Sequence, residues 1–286
     1  MRLSASVALA EMAGLSGNPS ALHGAGRRAR ALLEDAREEL AALLGAHPDE
    51  VVFTSGGSEA DAAAVSGSAT RWAADRPGIV ISGFEHPAVQ SAQALLGPRV
   101  QQTGLDEGGH VIIDDAIRLL AGHPAGPVGL VSVMLVNNET GAIQPVAEVA
   151  DAAHAAGSLA HSDAVQAFGH LPIDFAASNL DLLTVSGHKL GAPVGIGALV
   201  VRRGVKLRPT GFGGGQEARL RSGSVPVALA VGFATAARVA IERQAAEAER
   251  LGELRNLLIS GALAGVAGCR ANTVAPCSPA IVNLTF

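Results

Sequence analysis

Apolar positions along the chain recur with two periods, and each period predicts an element type. Over residues 26–44, "GRRARALLEDAREELAALL", Ala29, Leu32, Leu33, Ala36, Leu40, Leu43 and Leu44 fall on one helical face. That spacing predicts an amphipathic helix ended by Gly45. "EVVFTS" (50–55), "GIVIS" (78–82), "VGLVSVMLV" (128–136), "SLAHS" (158–162), "DLLTVS" (181–186) and "GIGALVV" (195–201) are short β-rich runs. Helical patterns stand between them. One is the Ala-rich "SEADAAAVSGSA" after Gly56 and Gly57; another is "PVAEVADAAHAAG" (145–157), with Pro145 near its start and Gly157 as its C-cap. Strands alternating with helices from about residue 50 to residue 190 predict an α/β fold with a mainly parallel sheet.

The rest of the chain reads differently. Residues 227–264 predict a long helix with a charged middle at 242–255. The apolar stretch 225–241 is shorter than the roughly 20 residues of a membrane span, so a buried helix is expected and no membrane partner. "SPAIVNLTF" (278–286) is an apolar strand pattern that stops at the last residue. Domains seldom finish on an unpaired apolar strand, and the expectation is a chain cut short.

Composition narrows the class. A chain of 286 residues, 48% hydrophobic and 16% charged, folds as one large domain or one plus a part. A net charge of -5 offers no basic footprint for nucleic acid. Cys269 and Cys277 are too few for a disulfide framework, and no metal site is expected. Glu11 interrupts the first apolar run too early for a signal peptide, so a cytoplasmic protein is expected.

Charge usage brings one residue forward. Of 21 Lys and Arg residues, only Lys189 and Lys206 are lysines. Arginine stays protonated in proteins, whereas a lysine amine can lose its proton and condense with a carbonyl. Lys189 stands in "SGHKLGAPVGIG", directly after a predicted strand.

Ligands of open α/β sheets collect at the carboxyl ends of the strands. The residues just after each predicted strand are therefore informative. "VVFTS" leads to Gly57 and Ser58 at a helix start, which together can cradle an anion, though a Gly-Gly turn is also common punctuation. "GIVIS" leads to His86, and "VSVMLV" to Asn137 and Asn138. "SLAHS" leads to Asp163 and Gln166; Asp163 alone would suit a helix cap equally well. "DLLTVS" leads to His188 and Lys189, with Ser186 at its end. An anion cup, an imidazole, amides, an acid and an amine at one sheet edge match what pyridoxal phosphate requires. "GFGGGQ" (211–216) lacks the last glycine of G-x-G-x-x-G, so a nicotinamide-binding domain is not expected.

In the stretches "GNPSALHGAGRRAR", "FTSGGSEAD", "FEHPAV", "VNNETG", "HSDAVQAFGHLPID", "SGHKLGAPVGIGAL" and "GGGQEARLRSGSVP", the chain resembles the class V aminotransferase family, and within it the cysteine desulfurases. The resemblance covers nearly all of 14–286. It implies a fold type I pyridoxal-phosphate transferase: a three-layer αβα large domain at 14–225 and an incomplete small α+β domain at 226–286, with 1–13 associated with the latter. It implies Lys189 as the lysine bonded to the cofactor and Asp163 as the partner of the pyridine nitrogen. Gln166 and Asn138 would lie near the phenolic oxygen, and His86 would stack on the ring and move protons. Gly57, Ser58, Ser186 and His188 would hold the phosphate, and Ser224 would reach the phosphate of a neighbouring subunit in a homodimer with shared sites.

The implied reaction converts L-cysteine to L-alanine and passes sulfur through an enzyme cysteine to an acceptor or scaffold protein, for iron–sulfur or other products. The family's persulfide cysteine and carboxylate-binding arginine would fall beyond Phe286, and neither Cys269 nor Cys277 has the expected context. Selenocysteine lyase or aminotransferase activity within the same family, or a non-catalytic remnant of the fold, are the alternatives.

Overall fold

The computed structural model describes residues 17–286. The expectations placed on residues 1–13 and on the opening apolar run lie outside the described residues. The predicted first helix is α1 (Gly24–Leu44), closed by Gly45 at φ 66°. Such a left-handed backbone suits glycine. Five elements follow: β1 (Val51–Thr54), α2 (Gly57–Arg71), β2 (Gly78–Ser82), α3 (Pro87–Leu96) and β3 (Val100–Thr103). Next come α4 (Ile113–Ala121), β4 (Val128–Ser132), α5 (Val146–Ala155), β5 (Leu159–Asp163), β6 (Leu182–Ser186) and β7 (Gly197–Val201). The chain finishes with α6 (Val227–Gly265), β8 (Arg270–Ala271) and β9 (Leu284–Thr285).

The first seven strands form one sheet in the order β1-β7-β6-β5-β4-β2-β3. Within it β7 runs antiparallel to both of its neighbours, and the other pairings are parallel. Six strands therefore point the same way, and their carboxyl ends share one edge. Buried apolar residues alternate between the faces, as the period of two requires. Val51, Phe53, Val80, Leu183 and Val200 pack toward α1, α5 and the first half of α6. Val52, Ile79, Ile81, Leu182 and Leu199 pack toward Ala60 and Ala64 of α2 and Val89 and Ala92 of α3. The result is the expected three-layer αβα arrangement.

Three differences from the sequence pattern have physical reasons. Strand β3 was not foreseen because Gln101 and Gln102 make it polar, which an edge strand tolerates. The run expected to extend to residue 136 leaves regular strand at Ser132. Val133 and Leu135 still donate to His161 and Asp163 carbonyls at 3.0 and 2.8 Å, while the Met134 N–H turns to the Glu85 side chain. Finally, the terminal apolar run is not left unpaired, since Ala271 and Leu284 face each other in the β8–β9 pair.

A buried ion pair fixes the glycine-rich segment after β7. Arg37 of α1 donates to both carboxylate oxygens of Glu217 at 2.7 and 2.8 Å. Glu217 also accepts the Phe53 N–H at 2.8 Å, which ties the segment to β1. Among the described residues no helix is long and apolar enough to cross a membrane.

Candidate active site

The shared carboxyl edge opens into a cavity of about 300 Å³ lined by Gly57, Ser58, Asp61, His86, Met134, Asn138, Asp163, Val165, Gln166, His188 and Lys189. Five different strand ends contribute to it. A larger open cleft, about 870 Å³, lies at the opposite edge of the sheet; Arg203, Lys206 and Arg208 line it, but no acid–base set does.

Each side chain is placed by local structure. Gly57 begins α2, and no side chain caps that helix start, so its first N–H groups are available to an anion. A Cβ at position 57 would come within 2.8 Å of Val165 Cγ2, which is why only glycine allows this close approach. Ser58 is exposed beside it. His86 caps α3, its Nδ1 accepting the Ala88 N–H at 3.1 Å. That bond leaves Nε2 as the protonated nitrogen of the neutral ring. Asp163 ends β5, buried, with Oδ1 accepting the Val165 N–H at 2.8 Å. Burial pushes its carboxyl up, opposed by the Val165 N–H, His86, the Asp61 side chain and Lys189. Lys189 and His188 lie on the short helical turn after β6, both exposed to the cavity. Burial, and then the Lys189 charge, push His188 down.

The two adjacent asparagines divide their work. Asn137 is buried and structural, donating to the Phe84 carbonyl at 3.1 Å and accepting the Glu139 and Thr140 N–H groups at 2.9 Å. Asn138 lines the cavity.

Eight of the ten sequence-selected residues line this cavity, and two do not. Ser186 is buried, next to Gly57, and hydrogen-bonds His188 Nδ1 at 2.9 Å. Ser224 is exposed on a separate cleft of about 260 Å³, beside Arg30, Arg37 and Gln216. Sequence reasoning missed Asp61, Glu85 and His161, three buried ionisable groups beneath the cavity. Asp61 was detectable, because it shares an otherwise small and apolar α2 face with Ala60, Ala64 and Val65.

A family model described as aminotransferase class-V matches residues 6–286. The chain is 44% identical over 259 residues to an IscS-like cysteine desulfurase of Mycobacterium tuberculosis, covering 87% of this chain and 65% of that protein. It is 45% identical over 252 residues to a cysteine desulfurase of Gluconacetobacter diazotrophicus, covering 86% and 62%. The chain thus spans slightly less than two thirds of these relatives. Among solved structures, a NifS-like protein superposes with a TM-score of 0.92 at 32% identity, covering 99% of this chain and 78% of that one. DndA from Streptomyces lividans superposes with a TM-score of 0.88 at 36% identity, covering 99% and 81%.

Proteins of this kind use pyridoxal phosphate, and the residues present fit it. The uncapped helix start with its glycine approach suits the phosphate, the buried Asp163 suits a ring cation, and the Lys189 amine opens into the same cavity.

Proposed function

The chain belongs to the class V aminotransferase family, and from that premise we propose that it is a pyridoxal-phosphate-dependent cysteine desulfurase, converting L-cysteine to L-alanine and passing the sulfur to an acceptor. The observation that carries this reading is one cavity holding the Lys189 amine, the Asp163 acid, the His86 imidazole and an open helix start. Bound there, the cofactor supplies an aldehyde for amines and a ring that withdraws electrons from the substrate's α-carbon.

The chain's own residues bind, orient and move protons. Lys189 would hold the cofactor through Nζ and would carry or release a proton at that atom. Asp163 keeps the pyridine nitrogen protonated. His86 would stand against the ring and exchange a proton at Nε2, since the Ala88 N–H occupies Nδ1. Gly57, Ser58 and His188 bind the phosphate, with Ser186 orienting His188. Asn138 and Gln166 would lie near the phenolic oxygen.

Ser224 lines a cleft separate from this cavity, which supports its assignment to the phosphate of a neighbouring subunit in a homodimer. In this reading the cofactor-binding domain ends at residue 225, and residues 226–286 belong to a second, small domain. The protein works in the cytoplasm and passes sulfur to an acceptor or scaffold protein. The names of its relatives support the substrate assignment, as does the similar SspA, solved in complex with cysteine.

The test is alanine and sulfide release from L-cysteine by the purified protein, with cofactor and a thiol reductant present. Equal amounts of both, lost in Lys189→Ala, are expected. Cofactor binding with no alanine formed would reject the desulfurase assignment.

A further inference from the structure

Asp61 has no place in the mechanism above, yet it lines the floor of the cavity and is only 1% exposed. It sits one turn into α2, and Asp163, also buried, lines the same cavity, so that each carboxyl acts on the other, with the Thr184 hydroxyl beside Asp61. Two ionised carboxylates there would repel each other in a medium that screens poorly.

The surroundings offer no buried cation to relieve them. His161 Nε2 is 3.7 Å from Asp61 Oδ1, but the ring is already committed to Thr184 Oγ1 at 3.0 Å and to Ser132 Oγ at 2.9 Å. Burial pushes that imidazole down to about 3, so it is neutral at physiological pH. Glu85, the third buried acid nearby, adds negative charge if it ionises. Lys189 and His86 face the cavity and act on Asp163. Asp61 Oδ1 has no hydrogen-bond partner among the described residues. An ionised carboxylate in that position would carry a large desolvation cost, whereas a neutral acid carries little.

We propose that Asp61 is a positioning residue for Asp163: it stays a neutral acid and donates its proton in a hydrogen bond to the Asp163 carboxylate. One negative charge then faces the cofactor's ring nitrogen, and it is held in place. A donated hydrogen bond also favours the ionised form of Asp163, countering its burial. This role rests on the cofactor reading of the site; the protonation of Asp61 does not.

Two measurements separate those parts. Infrared spectra of the unloaded full chain at neutral pH should show absorption from a protonated carboxylic acid that disappears in Asp61→Asn. Superimposable spectra would overturn the assignment of a neutral acid. In the second, the chain is loaded with pyridoxal phosphate isotopically labelled at the ring nitrogen, and the nitrogen chemical shift is followed against pH. Wild type and Asp61→Asn, which keeps an N–H donor, should both hold a protonated ring nitrogen. Asp61→Ala should lower the nitrogen's pKa by at least about one unit, equivalent to a tenfold loss of the protonated form. An Asp61→Ala titration identical to wild type would overturn the positioning role. Should Asp61→Ala not fold, a displaced Asp61→Asn titration overturns it and a retained one supports it. If wild type takes up no cofactor, the functional reading fails and the ring-nitrogen role with it, while the infrared result still decides the state of Asp61.

Discussion

Glu85 Oε1 accepts the backbone N–H of Met134 at 2.7 Å, beyond the ends of the strands that carry the two residues. The same oxygen accepts the Ser82 hydroxyl at 2.6 Å. Glu85 thus replaces a strand carbonyl at the point where the β2–β4 ladder opens to form the cavity, next to His86.

Burial pushes Glu85 up from 4.5 to about 8, with Asp163 adding to the shift and its hydrogen bonds opposing it. Between those pH values the folded chain keeps a proton that the unfolded chain has released. Its contribution is therefore complete below the unfolded value and is lost as pH rises, at about 1.4 kcal/mol per pH unit. Glu85→Gln should flatten this part of the stability–pH profile measured by urea unfolding. Parallel profiles for the two proteins would show that Glu85 ionises normally.

The Arg37–Glu217 pair should behave as a buried bidentate bridge. Replacing Glu217 alone by Gln leaves the buried guanidinium only the half-exposed Glu34 as a counter-charge and should cost roughly 3 kcal/mol. Replacing both partners, as Arg37→Met with Glu217→Leu, should recover most of that loss. A single-variant cost well below about 1 kcal/mol would mean that the segment is held by other contacts.

Much of this architecture was legible from periodicity, and the rest was not for identifiable reasons. Strands β1, β2, β6 and β7 are buried on both faces, so their continuous Val, Ile and Leu content marks them directly. Strand β3 is an edge, and its glutamines hide it. The cavity residues were found because each comes after a strand, and the parallel sheet puts such positions at one edge. Glu85 and His161 escaped because their importance lies in buried neighbours on other elements, which no local spacing records, whereas Asp61 stood out only as an acid on a small apolar helix face. Ser224 was selected by resemblance alone, and within one chain it lies apart from the site.

Asp163→Asn should separate binding from chemistry. An amide still fills the pocket floor but cannot stabilise a ring cation. Alanine formation should drop by about 100-fold or more, the scale of losing one preorganised electrostatic partner. Cofactor affinity should change far less. Unchanged substrate deprotonation would reduce Asp163 to a helix cap.

Ser224→Ala chains mixed with Lys189→Ala chains should regain activity, because each heterodimer would contain one intact site. Sedimentation showing only monomers that bind cofactor normally would contradict a shared site.

The central claim is that Lys189, alone of the two lysines, bonds the cofactor. The direct measurement is borohydride reduction of the cofactor-loaded protein, followed by peptide mass spectrometry. The pyridoxyl label should appear on the peptide containing Lys189, which opens into the cavity with His86 and Asp163. Label on Lys206, which lines the cleft at the opposite edge of the sheet, or no label at all, would contradict the account.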